Sequence, residues 1–272
     1  MRTGFSTAAR QGAATLAALL LLLLAAWPAT MGCGGKKVDP SEPSQAELAI
    51  TEYQQGTMLL NNGHYEEALG ALRRAVALDG NKAIYHGSVA LALFRLQRFD
   101  EAMAAVDRAL ELNPDYIEAY NIRGMIYNEQ GEYLQAMSSF RRLLESPAYG
   151  KPWVAHYNLG FAAASAGNDE EALFYYTRAL EQKDDYVQAR HQRGLMLERL
   201  GREAEAIREY GLVLDAVPES SEVHFSLGRL YFRAGRATDA RVEFEWVMRY
   251  APGTDYSARA ARYLNMMEQA GH

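Results

Sequence analysis

One pattern recurs along this chain at a fixed interval. "HYEEALGALRRAVAL", His64 to Leu78, returns as "RFDEAMAAVDRALEL", Arg98 to Leu112, displaced by 34 residues, and as "NDEEALFYYTRALEQ", Asn168 to Gln182, after a further 70. No other feature constrains the fold as much. A unit of this length cannot bury its own apolar face, so it must stack on copies of itself.

With Gly56 placed at position 8 of a 34-residue frame, the chain divides into six units: 49–82, 83–116, 117–150, 153–186, 187–220 and 221–254. Position 8 is Gly56, Ala90, Gly124, Gly160, Gly194 and Gly228, and position 20 is alanine in every unit, from Ala68 to Ala240. Position 24 is large: Leu72, Val106, Phe140, Tyr176, Tyr210 and Phe244. Small residues at 8 and 20 let two antiparallel helices approach, and the large residue at 24 fills the space toward the next unit. Glycine at position 15 breaks the chain between the two helices in five units; the second unit has Gln97 there. Pro114, Pro218 and Pro252, at position 32, stop the second helix.

These positions resemble the tetratricopeptide repeat, and the resemblance covers 49–254. It implies an all-α fold: a right-handed superhelical solenoid of six helix–turn–helix repeats whose first helices line a concave groove. "DYSARAARYLNMMEQ", 255–269, is expected as a capping helix that turns Ala258, Ala261, Leu264 and Met267 toward the last unit, with a short tail to 272. In such repeats positions 5, 9 and 12 face the groove. Here they supply Tyr53, Leu60, Leu91, Phe94, Met125, Tyr157, Phe161, Leu195, Phe225 and Phe232, among polar neighbours such as Asn121, Asn128, His191, Glu198 and Arg229. A surface this apolar suits an amphipathic helix or an extended segment of a protein partner.

No catalytic constellation accompanies the repeat. His86, His156 and His224 share position 4 but fall in alternate units, so they are expected as packing residues and not as metal ligands. The acidic pairs Glu66–Glu67, Asp100–Glu101 and Glu170–Glu171 recur at the start of second helices, where the helix dipole favours negative charge. A formal net charge of −6 supplies no basic face for nucleic acid. The expectation is a non-enzyme with no cofactor, no metal and no small-molecule substrate.

The first residues are set apart from the repeat. Arg2 and Arg10 precede an apolar run from Leu16 to Trp27. Those 12 residues span about 18 Å as a helix, short of a ~30 Å bilayer core. Residues 1–32 are therefore expected as an export signal. Cys33, the only cysteine, stands in "ATMGCGGKK", which resembles the lipobox of bacterial lipoproteins, with Thr30 where leucine is usual. The resemblance implies acylation of Cys33 (palmitate among the chains) and a membrane anchor, with 33–48 as the lipidated cysteine and flexible linker. Gly34, rather than aspartate, comes after the cysteine, which favours the outer membrane in some Gram-negative systems.

Lys151 and Pro152 break the period between the third and fourth units, and Pro147 and Pro152 bracket the lengthened turn. A lipidated cysteine, a short linker, six repeats and "LLESPAYGKPWVAHYNLG" after the third unit resemble the type IV pilus biogenesis and stability lipoproteins, the pilotins of the pilus secretin. That resemblance implies an outer-membrane lipoprotein, facing the periplasm, that binds secretin subunits and promotes their assembly. The alternative is a general periplasmic scaffold lipoprotein for cell-envelope or peptidoglycan enzyme complexes.

Overall fold

The computed structural model describes residues 43–147 and 149–271. The export signal expected over 1–32, the Cys33 anchor and the linker as far as residue 42 lie outside the described residues. Thirteen helices and no strand occur among the described residues. In chain order they are α1 (Gln45–Asn61), α2 (Tyr65–Leu78), α3 (Ala83–Arg95), α4 (Phe99–Leu112), α5 (Ile117–Glu129), α6 (Tyr133–Leu144) and α7 (Pro152–Ser165). Then come α8 (Asp169–Gln182), α9 (Val187–Arg199), α10 (Glu203–Ala216), α11 (Ser221–Arg233), α12 (Ala237–Tyr250) and α13 (Asp255–Gln269). They form the expected all-α solenoid: six antiparallel helix pairs and then a single cap.

The linker expected over 33–48 gives way to helix sooner than its composition suggests. Ser44 Oγ accepts from the Glu47 amide at 3.3 Å, and the Glu47 carboxylate accepts from the Ser44 amide at 2.7 Å. This reciprocal pair satisfies two helix-end donors, so α1 begins at Gln45 and residues 45–48 are helical.

Within each pair, positions 8 and 24 meet directly. A Cβ built on Gly124 would lie 2.5 Å from the Phe140 ring, one on Gly160 2.8 Å from Tyr176, and one on Gly228 2.6 Å from Phe244. All six residues at position 24 are fully buried. The ring thus roofs the glycine of its own unit, a role the expectation assigned instead to the space toward the next unit. The second unit solves the same packing with the opposite sizes, Ala90 beneath Val106.

The turn inside each pair obeys one template. The chain leaves the first helix through a left-handed residue, with φ between 71° and 82° at Gly63, Gly131, Gly167, Gly201 and Gly235. The residue after it donates back five positions, as Arg98 does to the Leu93 carbonyl at 2.9 Å, the hydrogen bond of a Schellman turn. Gln97 takes the same geometry at φ 60° without being glycine.

Between pairs, position 4 ties the repeats together. His86 Nε2 lies 3.0 Å from the Gly80 carbonyl, the Tyr120 hydroxyl donates to Pro114 at 2.9 Å, Arg190 donates to Asp184, and His224 Nε2 lies 2.9 Å from Pro218. Each reaches six residues back to position 32 of the preceding turn and occupies a carbonyl the ended helix leaves open.

Candidate functional site

The first helices α1, α3 and α5 bring half of the expected groove into one patch. Tyr53, Leu60, Leu91, Phe94 and Met125 are half-buried and rest on a shared floor of buried side chains that includes Leu72, Val89, Leu93, Val106 and Ile126. Phe99, at the start of α4, joins them, its ring 5.9 Å from that of Phe94. Sequence spacing missed Phe99 because it belongs to a second helix; its proximity comes from the tight turn at Gln97.

The middle of the groove is mixed. Tyr157 is half-buried, with its ring 5.7 Å from Tyr176 and 5.3 Å from Tyr186, and burial pushes its phenol pKa up. Asn158 donates to Asn121 across the lengthened turn at 3.3 Å. Leu195 is half-buried, and Phe161 is the most exposed of the ten at 43%. Beyond Leu195 a charged network takes over. Glu198 accepts from Arg229 at 2.5 Å and from Arg233 at 3.5 Å, and Tyr210 lies 3.5 Å from its other oxygen. Its carboxylate is only 9% exposed, so the two guanidiniums supply the compensation a desolvated charge needs.

The far end is closed. Phe225, expected in the groove, is only 2% exposed. Its ring lies 5.7 Å from Tyr256 and 6.0 Å from Tyr263 of α13, with the Arg259 guanidinium 4.5 Å away. Phe232 meets Tyr263 edge-on at 5.3 Å. The cap docks as the first helix of a seventh unit would, and so covers these positions. The same placement corrects the face expected of α13. Ala260 and Met267 are fully buried beside half-buried Tyr263 and Leu264, whereas Ala258 is exposed.

Two of the three histidines at position 4, His86 and His224, hold a turn carbonyl. His224 is also stacked 3.7 Å from the Trp246 ring and lies 2.6 Å from Glu243. His156 differs. The two extra residues displace its turn, and its buried Nδ1 has no hydrogen-bond partner. Burial, reinforced by the nearby Arg178 charge, pulls its pKa below the ordinary histidine value. The displaced turn also walls a cleft of about 210 Å³ with Asp115, Ile117, Tyr120 and Arg142. Among the described residues no group of three or more potential metal ligands converges.

The tetratricopeptide repeat profile matches residues 53–117, 90–151 and 191–246, and a second profile of the same repeat matches 153–186. The chain belongs to the tetratricopeptide repeat family. Over 120 residues it is 27% identical to TPR repeat-containing protein MJ1428 of Methanocaldococcus jannaschii, 44% of this chain and 21% of that protein. Over 187 residues it is 27% identical to RNA polymerase II-associated protein 3 of Xenopus laevis, 65% of this chain and 28% of that protein. The chain therefore spans between a fifth and a third of these curated relatives. Solved structures match over more of their length. Pseudomonas aeruginosa PilF superposes with a TM-score of 0.71 at 19% identity, covering 80% of this chain and 99% of PilF. PilW, a widely conserved type IV pilus biogenesis factor, superposes at 0.71 with 18% identity, covering 77% and 96%. YrrB, a TPR protein with an unusual peptide-binding site, reaches 0.59 at 23% identity, covering 71% and 98%. Identities this low speak to the fold of the TPR solenoid.

Proposed function

We propose that this TPR protein is a non-enzymatic outer-membrane lipoprotein that binds secretin subunits and promotes their assembly for type IV pilus biogenesis. The observation that carries the reading is the apolar patch of Tyr53, Leu60, Leu91, Phe94 and Met125, which the protein's own cap leaves uncovered. Full-length correspondence with PilF and PilW supports it, since nearly the whole of each is wound into the same solenoid. The mechanism has two parts. Lipid on Cys33 supplies the outer-membrane address and faces the solenoid into the periplasm. The patch then holds an apolar segment of the secretin subunit until neighbouring subunits replace it.

The test is the amount of detergent-resistant secretin multimer in outer membranes, with and without this gene and with Cys33→Ala. Loss of multimer in the deletion, with secretin monomer retained, is the expected result. Loss in Cys33→Ala as well makes the anchor part of the mechanism. Unchanged multimer in the deletion refutes the proposal. The double variant Leu91→Glu, Phe94→Glu tests the patch directly: a folded protein with normal secretin rings would place the contact elsewhere.

A further inference from the structure

The outer side of α12 departs from its counterparts in both charge and polarity. Position 26 of the frame is arginine in the first four units: Arg74, Arg108, Arg142 and Arg178. Each has an acidic partner within the chain. Arg74 pairs with Glu52 at 2.8 Å, Arg108 with Glu111 at 2.9 Å, Arg178 with Glu181 at 2.8 Å, and Arg142 with Glu145. In the last unit position 26 is Trp246, and position 29, acidic in the second to fifth units, is Arg249. The last unit therefore gives up a self-contained ion pair for an aromatic ring and a charge that α12 itself does not balance.

Val242, Trp246 and Tyr250 stand four residues apart, so they form one row along the helix. Val242 is 59% exposed and Tyr250 62%. Trp246 is held between them, stacked 3.7 Å from His224 and 5.0 Å from the Tyr250 ring. Glu245 and Arg249 run beside this row and line the same cleft. Both are exposed, and neither makes an ion pair among the described residues. Arg249 reaches only the Tyr250 ring, 5.9 Å away.

This face complements a second copy of itself. Two copies of α12 laid antiparallel about a twofold axis level with Trp246 are inverted in height, and each row meets its own counterpart. Trp246 then faces Trp246, and Val242 faces Tyr250. In the neighbouring row Glu245 of each copy comes opposite Arg249 of the other, so all four unpaired charges are matched at once. Such an isologous contact closes at two copies. A lipid surface offers no equal match, since anionic headgroups attract basic clusters and this face carries one acid and one base.

We propose that the outer side of α12 is a self-association surface, at which two copies of this chain pair antiparallel through Val242, Trp246 and Tyr250 while Glu245 and Arg249 fix the register. The contact uses a second helix and not the first helices that line the groove. One helix face of four turns buries less than ~1,200 Å² in such a pair, which places it among weak, reversible contacts.

Sedimentation equilibrium of the purified full chain in density-matched detergent, from about 1 µM to about 1 mM, spans the range in which weak pairs form. Wild type should pass from one to two copies of protein per particle. Glu245→Arg sets like charges opposite each other twice, as does Arg249→Glu, and each should weaken pairing at least about tenfold. Both positions are exposed, so each variant should keep the circular dichroism spectrum and Tm of wild type. An equimolar mixture of the two variants should pair again, because each supplies the charges the other lacks. Wild type that stays monomeric at ~1 mM overturns the proposal, and binding of that monomer to phosphatidylglycerol vesicles would assign the face to lipid instead. Pairing that survives either single reversal unchanged overturns it as well, and so does a mixture that pairs no better than its components.

Discussion

The pairing of positions 8 and 24 makes a quantitative prediction at Gly124. Its added Cβ would lie 2.5, 2.7 and 2.8 Å from three atoms of the Phe140 ring. Carbon atoms rest at ~3.5–4.0 Å, so the ring must move by about 1 Å. Phe140 is fully buried within the largest core cluster, so it has nowhere to go. Overpacking of this kind costs up to ~3 kcal/mol. Alanine gains about 1 kcal/mol over glycine in a helix interior. Gly124→Ala should therefore destabilise by about 2 kcal/mol. Phe140→Val alone opens a cavity worth about 2–3 kcal/mol, somewhat below the truncation of Phe to Ala. Together the two changes recreate the Ala90–Val106 pair of the second repeat, the new methyl filling part of the void. The double variant should lose about 2 kcal/mol, well short of the sum, a coupling at the strong end of the usual range for residues in contact. Urea midpoints for the four proteins, monitored by circular dichroism, close the cycle. A neutral or stabilising Gly124→Ala, or losses that simply add, would refute the reasoning.

Single contacts carry further consequences. Glu198→Ala removes the nearly buried carboxylate from part-exposed Arg229, while Arg233 keeps Glu203 at 3.0 Å, and should lower stability by about 1.5 kcal/mol; a change under ~0.5 kcal/mol, the level of an ordinary surface substitution, would mean the network is a surface pair. Ser44→Ala removes the N-terminal cap of α1, worth about 1 kcal/mol, and amide exchange over 45–49 should quicken while that of α3 stays constant. His156 has its pKa lowered by burial from 6.5, so the unfolded chain binds its proton first as pH falls. Stability contributed by the neutral ring is thus present above that pH and declines below it. His156→Gln should flatten the fall in Tm from pH 7 downward, and an unchanged slope would assign the fall to other groups. Tyr263→Ala strips the ring that stacks 4.9 Å from Phe244 and covers Phe225, so α13 should detach and trypsin should cut at Arg259 and Arg262; an undigested cap would show that it is held elsewhere.

The period, the helix pairs and the buried positions 8, 20 and 24 were legible because each repeats the same local chemistry. Contacts that depend on the superhelix were not. Phe225 carries the same groove position as Tyr53, yet one is sealed by α13 and the other is open, a difference set by whether a further helix packs over the position. Ala258 and Ala260 are alike in composition, but only Ala260 faces inward, in the cluster of Phe225 and Phe244. The start of α1 hinged on one serine three residues ahead of a glutamate, a cap that the Pro- and Ser-rich composition of the linker obscured. Glu198 and Arg229 were visible as groove residues, but their union needs a side-chain reach across two repeats that spacing alone does not provide.

Departures from a repeat are informative in proportion to what remains unbalanced around them. Ala90 replaces a glycine, but Val106 replaces a large ring, and both are fully buried; that departure is structural and complete in itself. Lys151 and Pro152 lengthen one turn, and the gap is partly bridged by Asn158 to Asn121 and by Arg141 to Glu171, leaving the buried His156 Nδ1 without a hydrogen-bond partner among the described residues. Gln97 has no such offset. Its turn keeps every backbone hydrogen bond of its glycine counterparts, so the side chain contributes strain and, among the described residues, no hydrogen bond in return. A selection that acted on stability alone would remove it, since glycine is sterically free at that φ. The departure at Gln97 also lies beside Phe94, in the half of the groove that the cap leaves open. Strain and exposed apolar surface therefore coincide in the second repeat, and this repeat is where a partner gains most by binding.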